Sequence, residues 1–335
     1  MTDLSIIIVN YKTPGLVIDC LRTVYGETSG IRYEVIVADN DSGDDSERLI
    51  RGEFPDVKWI QTGYNAGFAR ANNAAIRQAS GEAVLLLNSD TLVEGDAIGC
   101  CCLELMASSY VAAGVQLLNP DRTPQISGNF FMKGGLNYLL PLPYLGGWMK
   151  CAGHLFGAKA PHVPDAGSVV EVDWINGAFL MVKRAAYELA GLMDEDFFLY
   201  AEEAEWCSRL RRIGRLCIYG QFRVVHLQGV SANETFGSEG KGYYNLYDRK
   251  GLQIMLSNFV RIRKQFGVGW YLVQLLFYVA DIPIFLLGLL VSRIGGRGRA
   301  RYSFHQFRRY CSNIGLVIAR TPTIIRNKPY FYKVL

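Results

Sequence analysis

Between Asp194 and Glu205 the chain reads DEDFFLYAEEAE, six carboxylates crowded around an aromatic run. A helix beginning near Ala201 turns about 100° per residue, which puts Glu203, Trp206, Cys207 and Leu210 on one face and Glu205, Ser208 and Arg212 on the other. Glu205, four residues before Arg209, then reads as the outward member of an ordinary ion pair. Acidic enrichment at a helix N-terminus accounts for Glu202 and Glu205. It does not account for Glu203 on the apolar side. A carboxylate partly desolvated beside aromatic rings has a raised proton affinity, which suits a general base, and Glu202 is the next candidate for that role. A second group of polar residues closes four apolar runs: Asn10 and Tyr11, Asp39 and Asn40, Thr62 to Asn65, and Asn88 to Asp90.

The elements that must position these groups are legible upstream. LSIIIVN, YEVIVADN, VKWIQT and EAVLLLNSD alternate with the helix-like TPGLVIDCLRTVYGE, DDSERLIRGEF and FARANNAAIRQAS. Runs that are apolar throughout mark strands covered on both faces, so a parallel sheet with crossover helices is expected. Thr13 before Pro14 is expected to cap the first helix. In open α/β sheets ligands sit beyond the carboxyl ends of the strands, so the four polar run-ends converge on one crevice. The first turn, VNYKTPG, has no GxGxxG, which argues against hydride transfer on a nicotinamide cofactor. From Asn119 to Glu171 periodicity weakens, and either a mobile excursion over the site or a buried irregular insertion fits. VDWINGAFLMVKRAAYELAGL then reads as a strand followed by a helix.

At 335 residues, half of them apolar, the chain has ample material for a core. The net charge of +4 is unevenly placed: residues 251–335 hold thirteen Lys/Arg against the single acid Asp281, leaving the tail near +12 and the rest near −8. The eight cysteines, three of them consecutive at Cys100 to Cys102, lack the paired spacing of zinc sites and follow no signal peptide, so reduced thiols in a cytosolic setting are expected.

Taken together and in order, VADNDS, NAGFARANN, LLLNSD, WINGAFLMVKR, FFLYAEEAEWCSRL and HLQGVS resemble the family-2 glycosyltransferases, in particular their rhamnosyltransferase-like branch, over roughly residues 4 to 231. The resemblance implies an α/β GT-A fold, a Rossmann-like, mostly parallel sheet with flanking helices, and inverting transfer of a sugar from a nucleotide diphosphate donor. It also implies residue roles. Asp39 would contact a pyrimidine base; NSD would be the metal motif usually written DXD, with Asp90 holding Mg²⁺ or Mn²⁺; Glu203 would match the base of the ED pair. Asn10, Tyr11, Asn65, Gly67, Phe68, Asn88, Ser89 and Gly177 would line the nucleotide sugar, and His226 would be a further metal or pyrophosphate contact. Chemistry agrees at several of these positions. A uracil or thymine N3–H needs an acceptor such as Asp39, although DNDSGDD also reads as a turn. A departing nucleotide diphosphate develops charge that a cation at Asp90 would stabilise. A lone His is equally a structural residue, and Gly67 could serve ordinary helix-start chemistry as well as close approach to a nucleotide. Two departures stand out: Asn88 replaces the first aspartate of DXD, and Glu replaces Asp in the ED pair.

The domain reading is residues 1–250 as the glycosyltransferase domain, with 1–118 a nucleotide-binding half and 119–250 an acceptor half, and 251–335 as a basic, apolar, membrane-associated helical tail. WYLVQLLFYVADIPIFLLGLLV, Trp270 to Val291, is long enough to span a bilayer, but Asp281 and Pro283 fall in its middle and basic residues flank both ends. Two shorter helical pieces in the interface of an anionic membrane, at the cytoplasmic face of a bacterial inner membrane, are therefore expected, with a span or a buried hairpin as alternatives. A lipid-linked saccharide is the expected acceptor, dTDP-rhamnose the expected donor and a UDP-hexose the alternative; no nucleic-acid partner is expected, and an oligomer is left open. Absence of QxxRW argues for adding one or a few sugars. A non-catalytic nucleotide-sugar-binding membrane protein and a glycoside hydrolase are the competing classes.

Overall fold

The computed structural model describes residues 2–155, 162–163, 165–227, 236, 238, 245–294 and 301–334. Its first strands follow from side chains that are apolar on both faces. β1 (Leu4–Asn10) pairs in parallel with β2 (Tyr33–Asp39), and β2 with β3 (Lys58–Gln61). The crossovers are α1 (Pro14–Glu27) and α2 (Ser46–Glu53). α3 (Gly67–Ile76) leads to β4 (Ala83–Leu87), which pairs in parallel with β1 on its other side. Ile6, Ile8, Val35, Val37, Leu85 and Leu87 meet Val17, Leu21 and Val24 of α1 in one buried core. Pro14 occupies the first turn of α1, but the Thr13 hydroxyl is buried without a hydrogen-bond partner rather than capping the helix as expected.

Beyond β4 the sheet becomes mixed. The chain continues through β5 (Thr91–Val93), α4 (Ala97–Ala107), β6 (Ala112–Leu118), β7 (Gly128–Asn129), a 3₁₀ segment (Lys133–Leu139), α5 (Leu145–Leu155), β8 (His162–Val163), β9 (Val169–Val172) and β10 (Trp174–Ile175). Then come β11 (Phe179–Lys183), α6 (Arg184–Ala190), α7 (Glu202–Leu210) and β12 (Leu216–His226). The order across the sheet is β3-β2-β1-β4-β11-β6-β12-β5, with β9 also on β12. β11 runs antiparallel to both β4 and β6, so the sheet is mixed, with the parallel pairing expected for the first strands found among β1–β4 and again between β6 and β12. The β11 insertion was invisible locally, because nothing in FLMVK records which strands flank it.

The chain forms two compact units. Unit 1 comprises residues 1–130, 162–198 and 202–232; unit 2 comprises 131–161, 199–201 and 233–335, and so takes in more than the expected tail. In unit 2, α8 (Arg249–Phe266), α9 (Val268–Ile294) and α10 (Phe304–Arg326) carry most of the described chain. The Asp248 side chain caps α8 through Gly251 N, and Ser303 with Gln306 forms a capping box on α10. The apolar stretch around Pro283 is one continuous helix rather than two pieces. Packing of neighbouring helices against its buried side sustains a proline that would break an isolated helix.

Candidate active site

Asp39, at the end of β2, is 3% exposed and saturated with donors. Its Oδ1 accepts from Asn10 Nδ2 at 2.7 Å and Ser42 Oγ at 2.6 Å, and its Oδ2 from Ser42 N at 3.0 Å and Gln61 Nε2 at 2.9 Å. A carboxylate offers about four lone-pair directions, so an incoming ring N–H must share or replace one of these donors, and Gln61 is the exposed one. Lys12, in the left-handed region at φ 57°, follows Tyr11 and stacks its ammonium over that ring; its N–H donates to Ser42 Oγ. Ser42 and Gln61 were not singled out in the sequence, since polar residues at strand ends are common and carry no pairing signal.

Asn40 fixes the next loop. Its Oδ1 accepts from Ala66 N and its Nδ2 donates to Gly67 O, both at 3.0 Å. Gly67 has φ +73°, and a Cβ there would lie 2.2 Å from Phe198 O; Phe68 N donates to that same oxygen at 2.8 Å. The backbone of Phe198 therefore requires a glycine at this position. Asn65 Oδ1 accepts from Gly67 N at 3.3 Å, closing the turn.

The carboxylate-rich segment resolves into separate jobs. Glu195 binds Arg77 at 2.6 Å and Asn73 at 3.1 Å, contacts that hold its carboxyl below the ordinary range against the opposing effect of burial. Asp194 Oδ1 accepts from Asp196 N, closing a turn. Tyr200 and Ala201, both at positive φ, bend the chain into α7. Glu205 pairs with Arg209 through bonds of 2.7 and 2.8 Å, but it is buried, not outward-facing, because Arg209 turns inward to donate to the Ala190 and Gly191 carbonyls. Glu202 and Glu203 are buried at the first turn of the same helix. A Cβ at Gly177 would lie 3.4 Å from Glu203 Cγ and 3.8 Å from Phe68 Cε1, so Gly177 leaves the space in which the Glu203 chain and the Phe68 ring meet.

One residue on, Ala178 O accepts from Asn88 N at 3.1 Å, which ties this corner to the NSD turn at the end of β4. Asn88, Ser89 and Asp90 face β12, where Thr91 pairs with His226. His226 Nε2 lies 3.3 Å from Asp90 Oδ1 and 3.4 Å from Asn88 Nδ2, and its Nδ1 lies 3.0 Å from Gln125 Oε1. Gln125 cannot be turned over: its Nε2 is surrounded by His226 O at 2.6 Å, Asn119 Oδ1 at 2.8 Å and Leu118 O at 3.3 Å, all acceptors. Its Oε1 must therefore accept from His226 Nδ1–H, which directs the Nε2 side of the ring to Asp90. Below the turn, Cys20 donates to Asn88 O; burial pushes its thiol up to about 12, so it serves as packing rather than as a nucleophile. Gln125, placed in the stretch of weak periodicity, was missed in the sequence. Of HLQGVS, residues 228–231 lie outside the described residues.

The fold family implies a divalent cation, and the donor set accommodates one. Adjacent ligands of an octahedral cation at roughly 2.1 Å are about 3 Å apart, close to the Asp90–His226 separation of 3.3 Å. An imidazole whose distal N–H is held by an amide oxygen is the usual outer-shell arrangement of a metal ligand. Among the described residues no group of three or more His, Cys, Asp or Glu forms a candidate metal cluster, so the remaining positions fall to neutral oxygen or phosphate ligands.

Comparison with solved structures places the chain in a fold class. The mannosyltransferase of Pyrobaculum calidifontis, solved with GDP-Man and Mn²⁺, aligns with 98% of this chain and 90% of its own at a TM-score of 0.54 and 16% identity, a likeness of fold alone. The architecture is GT-A-like: a mixed α/β fold with a central sheet and flanking helices. Residues 5–130 match the family described as Glycosyl transferase family 2. Among curated relatives, the low-salt glycan biosynthesis hexosyltransferase of Haloferax volcanii is 28% identical over 221 residues, 63% of this chain and 62% of that protein. The N-acetylglucosaminyl-diphospho-decaprenol L-rhamnosyltransferase of Mycobacterium tuberculosis is 26% identical over 236 residues, 65% of this chain and 74% of that protein.

Proposed function

We propose that the chain is an inverting glycosyltransferase that moves a sugar from a nucleotide diphosphate donor, dTDP-rhamnose first, to a hydroxyl of a lipid-linked saccharide in glycan or cell-wall assembly. The observation that supports this reading is that Glu203 lies beside Gly177, one residue from the Ala178 carbonyl that anchors the Asn88–Asp90 turn.

Asp39, held by Asn10, Ser42 and Gln61, orients the base by accepting a ring N–H in place of Gln61. Glu203 takes the proton of the acceptor hydroxyl as that oxygen bonds to the anomeric carbon; the bond from that carbon to the diphosphate oxygen breaks on the opposite face, and its electron pair leaves with the nucleotide diphosphate. Asp90 and His226 would hold Mg²⁺ or Mn²⁺, whose positive charge would stabilise the leaving diphosphate. Asn88 contributes a neutral donor in place of an anionic ligand, so affinity for the cation without the nucleotide is low.

A UDP-hexose donor is the second reading, supported by the hexosyltransferase name of the Haloferax relative. The experiment is a donor-consumption and transfer assay on the full chain, with and without EDTA, reading the anomeric configuration of the product. Metal-stimulated transfer with inversion supports the proposal. Donor binding without turnover assigns the chain to non-catalytic nucleotide-sugar binding, and full activity after exhaustive chelation overturns the cation's role.

A further inference from the structure

The polar residues that made α9 look unsuited to an apolar medium, Gln274 and Asp281, are turned inward, while Pro283 is exposed. Tyr271, Gln274, Tyr278, Asp281, Phe285 and Leu289 recur every three or four residues and are buried within unit 2. Gln274 Nε2 donates to Gly134 O at 3.0 Å and Gly135 O at 2.8 Å, and Tyr278 OH donates to Tyr138 O at 3.1 Å. The outward face carries Leu272, Val273, Leu276, Val279, Leu286, Leu287, Leu290 and Val291, with Leu276 66% and Leu287 61% exposed. It continues for about five helical turns, roughly 30 Å, without a charged side chain. A soluble monomer seldom leaves so long an apolar face uncovered.

α9 meets the length and hydropathy of a membrane span, but its neighbour decides against one. α10 runs antiparallel alongside it: Tyr271 OH meets Thr321 Oγ1 at 2.7 Å, Tyr310 OH donates to Tyr278 O at 3.2 Å, Phe285 packs edge-on against Phe307, and Arg293 lies over the Phe304 ring. The exposed Arg308 and Arg309 are therefore level with the middle of α9, near Pro283. A transverse α9 would carry both guanidinium groups to the bilayer centre, where arginine is most costly. Lying in the plane of the membrane, the same pair of helices satisfies both demands, apolar face among the acyl chains and arginines among the headgroups.

We infer that α9 docks unit 2 on an anionic bilayer surface, its outward Leu/Val face inserted parallel to the membrane and Arg308 and Arg309 paired with lipid phosphates. Charge selects this occupant over a second copy of the chain. Among residues 251–335 the only acid is Asp281, which is buried, so two such surfaces would meet with like charge. The inference rests on unit 2 and is independent of the transfer reaction.

Flotation of the full chain with phosphatidylcholine vesicles, with and without phosphatidylglycerol, tests it. Binding is expected only with the anionic lipid, weakened in about 1 M salt, where the Debye length is about 3 Å, and released by alkaline carbonate. Arg308→Gln/Arg309→Gln, both at exposed positions, should lower the partition coefficient about thirtyfold, at about tenfold per 1.4 kcal/mol and about 1 kcal/mol per basic residue. Leu276→Gln/Leu287→Gln/Leu290→Gln should lower it at least about tenfold, with circular dichroism and donor hydrolysis unchanged. Retention after carbonate would show a span. Absence from anionic vesicles at low salt, or a dimer that the leucine variant dissociates, would equally overturn the inference; should the leucine variant misfold, the arginine pair and the carbonate step still decide.

Discussion

Glu202 and Glu203 are neighbours and similarly buried, so burial does not separate them; the Glu203 chain is the one that lies beside Gly177. Glu203→Gln keeps the shape and removes the proton acceptor, so turnover should fall at least about a hundredfold with donor affinity kept. Near wild-type turnover in that variant, with a severe loss in Glu202→Gln, would move the role one residue back. The proposed cation site makes a separate demand. Gln125 touches no reacting atom; it is a positioning residue that holds His226 by its Nδ1–H. Gln125→Leu should weaken Mn²⁺ binding about 10–100-fold in calorimetric titration with the nucleotide diphosphate present, and Asp90→Asn should abolish it, whereas Asn88→Asp should tighten it. Unchanged Mn²⁺ affinity in Gln125→Leu would show the amide to be a packing feature only. The sequence pointed to Glu203 through its place on the apolar side of a helix, and to Asp90 and His226 through the family resemblance. It left out Gln125, Ser42 and Gln61, whose importance depends on partners 101, 3 and 22 positions away.

At the scale of elements, β1–β4 were legible because strands covered on both faces are apolar throughout, a pattern that needs no knowledge of partners. The place of β11 between β4 and β6 was not, since antiparallel pairing of distant strands leaves no mark in either one. α9 was misjudged as two pieces because Asp281 and Pro283 were weighed without the helices beside them. Asp281 is fully buried near the Tyr310 hydroxyl, and burial pushes its carboxyl up to about 7, a rise that the tyrosine only partly offsets. The consequence for stability has a definite sign. The unfolded chain ionises this group above about 4 while the folded chain keeps it protonated to about 7, so the folded state loses stability as pH rises through that window, by at most about 1.4 kcal/mol per pH unit. Asp281→Asn should flatten that part of the profile and be the more stable protein above about pH 7 in urea titrations. Equal slopes for the two proteins would show that Asp281 is solvated in solution.

For the whole molecule, the division into two units matters to how ligands are detected. A chain with two compact units need not unfold in one step, and a ligand confined to unit 1 stabilises only the transition in which unit 1 melts. Asp39, Asn10, Ser42 and Gln61 belong to unit 1, as do Asp90, His226, Gly177 and Glu203. A nucleotide sugar at 100 times its dissociation constant should therefore add about 2.7 kcal/mol to that transition and leave the other unmoved. With Mn²⁺ present, dTDP-rhamnose should give the largest shift in a calorimetric panel, a UDP-hexose the next, and EDTA should reduce both, since the proposed cation site of Asp90 and His226 would be sparse without the donor's phosphates. Guanine also carries a ring N–H, so a hydrogen bond to Asp39 does not by itself separate a pyrimidine donor from a guanine one. GDP-mannose is the informative competitor: a shift from it equal to that of the pyrimidine donors would overturn the assignment of Asp39 as a pyrimidine reader, while leaving Glu203 and the cation site untouched.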